Sequence, residues 1–263
     1  MHRRYLQVCL LRYGFSVSLP QTASVVNRLI ELDTVDSTNL ELARLTKTEQ
    51  LENFSLVVSH SQTAGMGRLG RSWVSEPGSS ISASLYLTSK HTKDLGWATL
   101  IAAVAIRSAI ADLVSEEVLV KWPNDVLVDG KKISGILAQI QPDGSLILGF
   151  GINLKAQQEA PETATALDLL NVHKTFDEVL HAVVHNFRVR WAIFEADPQV
   201  AITKTRGEIL QASATLGKNV RAELPGGGEV FGVAKDIDRE GRLVIHTPEP
   251  VVVSAADVWH LRN

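Results

Sequence analysis

One loop constrains what this chain can fold into. Gln62-Thr63-Ala64-Gly65-Met66-Gly67-Arg68-Leu69-Gly70-Arg71-Ser72-Trp73 carries three glycines and two arginines. Glycines let backbone N–H groups approach an anion closely, and arginines neutralise its charge. Gly65, Gly67 and Gly70 match the spacing of a dinucleotide-binding fingerprint. That fingerprint needs a strand before it and a helix opening at its end. Residues 55–59 supply the strand, but 73–80 are turn-rich. Ile81, Ala83, Leu85 and Leu87 then alternate with Ser82, Ser84, Tyr86 and Thr88, the period of a half-buried strand. The loop therefore joins two strands, which removes the dinucleotide reading. Taken alone, a solvated strand–strand connection remains open.

Composition narrows the function classes. A chain of 263 residues can hold one large domain or two. A formal net charge of −3 argues against a dedicated nucleic-acid binder. Cys9 is the only cysteine, which excludes an internal disulfide and a cysteine-rich zinc site and fits a reducing compartment, here the cytoplasm. No apolar run reads as long enough to span a membrane, and the short 6–11 run is ended by Arg12, unlike a signal peptide. His181 and His185 read as a helix-face pair rather than metal ligands.

Along the chain, 28–35 reads as a strand. Asp36-Ser37-Thr38-Asn39 opens a helix, with Thr38 and Glu41 at capping-box spacing. Residues 95–114 predict a largely buried helix. Strand 118–122 ends at Pro123-Asn124-Asp125. Asp129-Gly130 between apolar runs predicts a hairpin over 126–141, and 145–154 adds a third strand. Helices are predicted over 176–196 and 199–210, separated by Asp197-Pro198. After Ala212, four short strand candidates (219–224, 229–238, 242–247, 251–254) predict a small β-barrel. The expected architecture is α+β, a mixed sheet packed with helices followed by that barrel. The expected domains are an N-terminal extension (1–28), a main domain (29–211) and the C-terminal barrel (212–263).

A second segment carries chemistry: Val120-Lys121-Trp122-Pro123-Asn124-Asp125. It places a cation, an amide and an anion at a strand end. Hairpin pairing about Asp129-Gly130 brings Lys132 back toward the Asn124-Asp125 corner. A lysine near a Gly/Arg loop suits the neutralisation of a phosphate and a carboxylate together.

These segments together resemble the biotin–protein ligases. The 62–73 segment is similar to that family's ligand loop, and Asp36-Ser37-Thr38-Asn39 to its first biotin-contacting segment. Lys121-Trp122-Pro123-Asn124-Asp125, Lys132 and Gly135-Ile136-Leu137 resemble its central signature, and Gly149-Phe150-Gly151-Ile152-Asn153-Leu154 its following strand. The likeness runs from about residue 29 to the C-terminus, and the terminal module matches the family's SH3-like domain in size and position. The resemblance implies a fold like that of class II aminoacyl-tRNA synthetases and biotin–lipoate ligases.

It also implies a reaction. Biotin's carboxylate attacks the α-phosphate of ATP, and a lysine of a biotin carboxyl carrier protein then attacks biotinyl-5′-AMP. Catalytic roles fall to Lys132, Asp125 and Arg68. Biotin contacts fall to Ser37, Thr38, Asn39, Gln62, Gly65, Met66, Gly67, Arg68, Lys132, Gly135, Ile136 and Leu137, with Ile136 and Leu137 as apolar wall. Nucleotide contacts fall to Arg68, Arg71, Trp73, Asn124, Lys132 and Asn153, with Trp73 stacked on adenine. Mg²⁺ is expected on the ATP phosphates without a dedicated protein site. A monomer or homodimer is expected, without DNA or membrane as partner. The loop is expected to order over the adenylate.

The chain departs from the family pattern at Met66, where an arginine is usual. Only about thirty residues precede Asp33, so no winged-helix DNA-binding domain is expected, and Arg3, Arg4, Arg12 and Arg28 read as a solvated extension. The rival readings are a lipoate–protein ligase or octanoyltransferase of the same fold, and a non-catalytic biotin-binding module.

Overall fold

The computed structural model describes residues 19–74, 76–224, 227–254 and 257–261. Expectations resting on Arg3, Arg4, Cys9, Arg12 and the 6–11 run lie outside the described residues. The helices and strands begin with α1 (Pro20–Ala23), β1 (Arg28–Leu32), α2 (Thr38–Thr48), β2 (Ser55–Ser59) and β3 (Ser80–Leu87). Next come α3 (Ala98–Ala111), β4 (Val118–Lys121), β5 (Asp125–Val128), β6 (Lys131–Ile140) and β7 (Leu146–Asn153). Then follow α4 (Phe176–Ala196), α5 (Pro198–Gln211), β8 (Asn219–Glu223), β9 (Glu229–Ile237), β10 (Leu243–His246), β11 (Pro250–Val253) and β12 (Asp257–His260). Two compact units result, one from Met1–Ser89 with Ser134–His185, the other from Lys90–Ile133 with Asn186–Asn263.

In the first unit the strand order is β1-β2-β3-β7-β6. β1 and β2 are parallel, and the other pairings are antiparallel. The sheet is mixed, as expected. Helix α2 lies on one face, where fully buried Leu42 packs with Ile30, Leu32, Leu51, Val57, Tyr86 and Ile147. Burial of one such leucine stabilises the fold by about 1.5–3 kcal/mol.

Two expectations are corrected here. β3 is buried along its whole length rather than half-buried. Ser82 and Ser84 face a hydrogen-bonded interior instead of water. The described end of the N-terminal extension is also anchored in part rather than wholly solvated. Thr22 is fully buried, and the Asp177 carboxylate accepts from the N–H groups of Gln21 (2.9 Å) and Thr22 (3.0 Å). The carboxylate satisfies N–H groups that a helix start leaves without partners. Arg28 is paired with Glu49 at 2.9 Å.

In the second unit α3 is buried over most of its length. The stretch Thr92–Ala111 is long and apolar enough, by length and composition, to cross a membrane, although no such run was expected. Its most apolar window is 67% buried, as in a core helix. Asp197 caps α5, accepting from Gln199 N–H at 2.9 Å and Val200 N–H at 3.2 Å, with Pro198 at the first helical position. The C-terminal segment forms a five-stranded antiparallel sheet, β11-β10-β9-β8-β12. The fifth strand, β12, was not anticipated.

Candidate functional site

The Gly/Arg loop in the first unit is a small self-paired hairpin. Gly67 N–H donates to Arg71 O (2.7 Å), Trp73 N–H to Gly65 O (2.8 Å), and a single 3₁₀ turn spans Arg68–Gly70 at the tip. Its entry strand is tied down: Thr63 N–H donates to Val35 O and Ala64 N–H to Asp36 O. The loop bounds a cavity of about 570 Å³, completed by Leu137 and Gln139 of β6. That volume suits a small organic ligand.

The floor beside this loop is made of small residues in register. Ser82 of β3 stands opposite Gly151 of β7, and Gly151 opposite Gly135 of β6. One step along, Ser84, Gly149 and Leu137 are aligned in the same way. The glycines allow close approach. A Cβ at Gly149 would lie 2.1 Å from Asn39 Oδ1, and one at Gly151 would lie 2.4 Å from the Trp73 indole.

A buried polar network rests on this floor. Gln62 Oε1 accepts from Thr38 N–H at 2.8 Å, while Gln62 Nε2 donates to Ser82 Oγ at 3.2 Å. Ser84 Oγ lies 2.7 Å from Thr38 Oγ1 and 2.6 Å from Asn39 Oδ1. Asn39 Nδ2 donates to Gln139 Oε1 at 3.0 Å. Thr38, Asn39, Ser82 and Ser84 are each at most 4% exposed. In this setting unmade hydrogen bonds are costly.

The expected capping box does not form. Ser37, not Thr38, is the N-cap, and it makes no side-chain cap bond. Thr38 is turned into the network, and Glu41 pairs with Arg44 at 2.6 Å. Arg44 also grips Asp36 with two bonds of 2.7 and 2.8 Å. That guanidinium holds the Asp36 carboxyl down at about 2.

The second unit contains the Lys121–Asp125 corner. Lys121 and Asp125 face each other at the end of the β4–β5 pair, and the Trp122–Pro123 peptide is cis. Trp122 is 2% exposed; its backbone N–H donates to Thr215 Oγ1 (3.1 Å) and its indole N–H to Gly241 O (3.0 Å). Ala214 N–H and Ala212 O bond the backbone of Val120. Asp129 (φ 47°) and Gly130 (φ 74°) form the tight turn expected of Asp-Gly. Lys132 Nζ then lies 2.7 Å from Asp125 Oδ1, with 35% and 19% of the two side chains exposed. The contact is a close ion pair rather than an aligned hydrogen bond.

The expected site residues do not all line the cavity. Gly65, Met66, Gly67, Arg68, Arg71 and Leu137 line the cavity. Ile136 does not join Leu137 as wall. Strand alternation turns it to the opposite face, across from Phe150 and 2% exposed. Asn39 is engaged within the network. Trp73 lies over Gly151, and Asn153 donates its amide to Thr165 O at 2.9 Å. Ser82, Ser84 and Gln139 were missed. For Ser82 and Ser84 the signal was serine, rather than charge, in the polar register of a strand otherwise apolar; Gln139, on β6, carried no such signal.

The Biotin/lipoate A/B protein ligase family matches residues 31–155, and the Biotin protein ligase C terminal domain matches 215–261. A biotin–[acetyl-CoA-carboxylase] ligase of Mycobacterium tuberculosis is 36% identical over 239 residues, covering 86% of each chain. The bifunctional ligase/repressor BirA of Bacillus subtilis is 32% identical over 265 residues, 94% of this chain and 77% of its own. The structure of a biotin protein ligase from Aquifex aeolicus in complex with biotin and ATP superposes with a TM-score of 0.76 at 28% identity, over 90% of this chain and all of the other.

Proposed function

The chain belongs to the biotin–protein ligase family, and from that premise we propose how its own residues carry out the ATP-dependent attachment of biotin to protein. The observation that carries the assignment of roles is the buried polar network beside a cavity rimmed by Arg68 and Arg71. A bicyclic urea needs paired donors and acceptors at one end and cations at the other.

In the first step a biotin carboxylate oxygen attacks the α-phosphorus of ATP. A P–O bond forms, the bond to pyrophosphate breaks, and biotinyl-5′-AMP results. Two anions must meet, so cations offset their repulsion. Lys132 takes the bridging position between carboxylate and α-phosphate, and Arg68 and Arg71 hold phosphate oxygens. Before substrate arrives, Asp125 keeps Lys132 paired. Thr38 and Gln62 hold the ureido ring, with Ser37 beside them. Gly135 and Leu137 border the bicycle, while Trp73, Asn124 and Asn153 serve the nucleotide.

In the second step the amine of a carrier-protein lysine attacks the anhydride carbonyl. An amide forms, AMP leaves, and Asp125 takes the proton. The acceptor we propose is a biotin carboxyl carrier protein; the Mycobacterium tuberculosis relative is named as a ligase acting on acetyl-CoA carboxylase. Among the described residues no cluster of three histidine, cysteine or acidic side chains could hold a metal ion. Mg²⁺ is proposed to enter on the ATP phosphates, where it needs few protein ligands. We place the protein in the cytoplasm, the compartment that its single cysteine fits, with residues 29–211 as catalytic domain and 212–263 as an SH3-like module. A lipoyl or octanoyl chain has no hydrogen-bonding partner to offer Thr38 and Gln62, which disfavours that rival.

Biotin-dependent exchange of pyrophosphate into ATP tests the reading. Lys132→Ala is expected to lower exchange by about 10²–10³-fold. Full exchange in that variant would remove Lys132 from the chemistry, and absence of exchange in the wild type would refute the reading itself.

A further inference from the structure

We infer that Asn39 and Ser84 act as positioning residues that turn the Thr38 hydroxyl into a pure hydrogen-bond acceptor; of this network, Gln139 lines the cavity, whereas Thr38, Asn39, Gln62 and Ser84 do not. The inference rests on the proposal that Thr38 and Gln62 hold the ureido ring.

Two backbone groups here have no choice of role. Thr38 N–H can only donate, so Gln62 presents Oε1 to it and its amide nitrogen points the other way. That nitrogen donates to Ser82 and abuts cavity-lining Gly65, where a Cβ would come within 2.9 Å of it. Leu137 O can only accept, so Asn39 turns Nδ2 to it, at 3.4 Å, and to Gln139 Oε1. Asn39 Oδ1 is therefore the atom facing Ser84 Oγ at 2.6 Å.

An amide oxygen has no proton, so Ser84 spends its single proton on Asn39. The 2.7 Å contact between Ser84 Oγ and Thr38 Oγ1 must then run from Thr38 to Ser84. Thr38 Oγ1 also lies 3.3 Å from Gln62 Oε1, but its one proton is already committed over the shorter distance. What Thr38 has left is lone pairs. Gln62 and Gln139, with their oxygens occupied, keep amide N–H groups to offer. The network thus holds an acceptor beside donors, the complement of a cyclic urea with its N–H groups and carbonyl. A ligand lacking a ureido N–H meets an acceptor that cannot switch role.

A two-residue cycle tests this. Ser84→Ala frees the Thr38 proton and is expected to raise KM for biotin about tenfold, the worth of one hydrogen bond, with kcat and KM for ATP unchanged. Thr38→Val is expected to raise KM for biotin by at least as much. The double variant should be no worse than Thr38→Val alone, because Ser84 acts through Thr38. Multiplying effects, or an unchanged KM in Ser84→Ala, would overturn the inference. Ser84→Cys, similar in shape and a poor donor, serves in the same cycle if the alanine variant fails to fold. Absence of biotin-dependent exchange in the wild type would instead sink the parent reading.

Discussion

The Gly/Arg loop and the Lys121–Asp125 corner are held in opposite ways. The loop keeps its shape through bonds between its own backbone atoms, and its tip residues Gly70, Arg71 and Ser72 are exposed. The corner is held by side chains, with Trp122 bonded at both its backbone and its indole N–H by residues more than ninety positions away. Local bonds can open without unfolding a domain, whereas a buried aromatic anchor ties its segment to the stability of the whole unit. The loop therefore suits a group that admits and covers a ligand, and the corner suits a fixed electrostatic site.

The largest effect is expected where the corner is broken. Trp122→Ala should cost about 3–5 kcal/mol in urea denaturation, and Trp122→Phe, which loses only the N–H to Gly241, about 1–3 kcal/mol. Exchange activity should fall in step with stability; a stable Trp122→Ala protein would refute the anchor. Gly65→Ala probes the loop, because its Cβ would meet Trp73 O at 2.3 Å. Here we expect exchange to fall on the order of 10²-fold through a misplaced loop, with the global unfolding midpoint unchanged. A matching loss of stability would show that loop and corner are not held differently.

Met66→Arg adds a cation to the cavity rim. It should slow release of the adenylate by an amount worth about 0.5–1 kcal/mol and leave stability unaltered. The smallest effect concerns Asp36. Its carboxyl sits at about 2, below the ordinary value of 3.8, so its stabilising share is full above 3.8 and is lost as pH falls toward 2. The pair with Arg44 is partly exposed, so that share is at most about 1 kcal/mol. Asp36→Asn should flatten the acid limb of the stability curve between those two values.

What local chemistry decides could be read from the chain. The Asp129-Gly130 turn, the Asp197-Pro198 cap, the strand–loop–strand setting of the glycines and the approach of Lys132 to Asp125 all follow from rules that span a few residues. What depends on register and cover could not. Ile136 faces away from the cavity because β6 alternates against β7, and Thr38 abandons its capping role because Gln62 and Ser84 compete for it. β3 reads as half-exposed because serine is ambiguous: it marks a wet face unless neighbours supply partners, as Asn39 and Thr38 do for Ser84.

Gly149 and Gly151 carry one further consequence. At these two positions the ground beneath Asn39 and Trp73 is bare main chain. Nothing can be trimmed from a glycine, so variation there runs in one direction. Every substitution raises the floor and none deepens it. A lineage seeking to accept a bulkier ligand would have to leave these two positions alone and rebuild the loop above them.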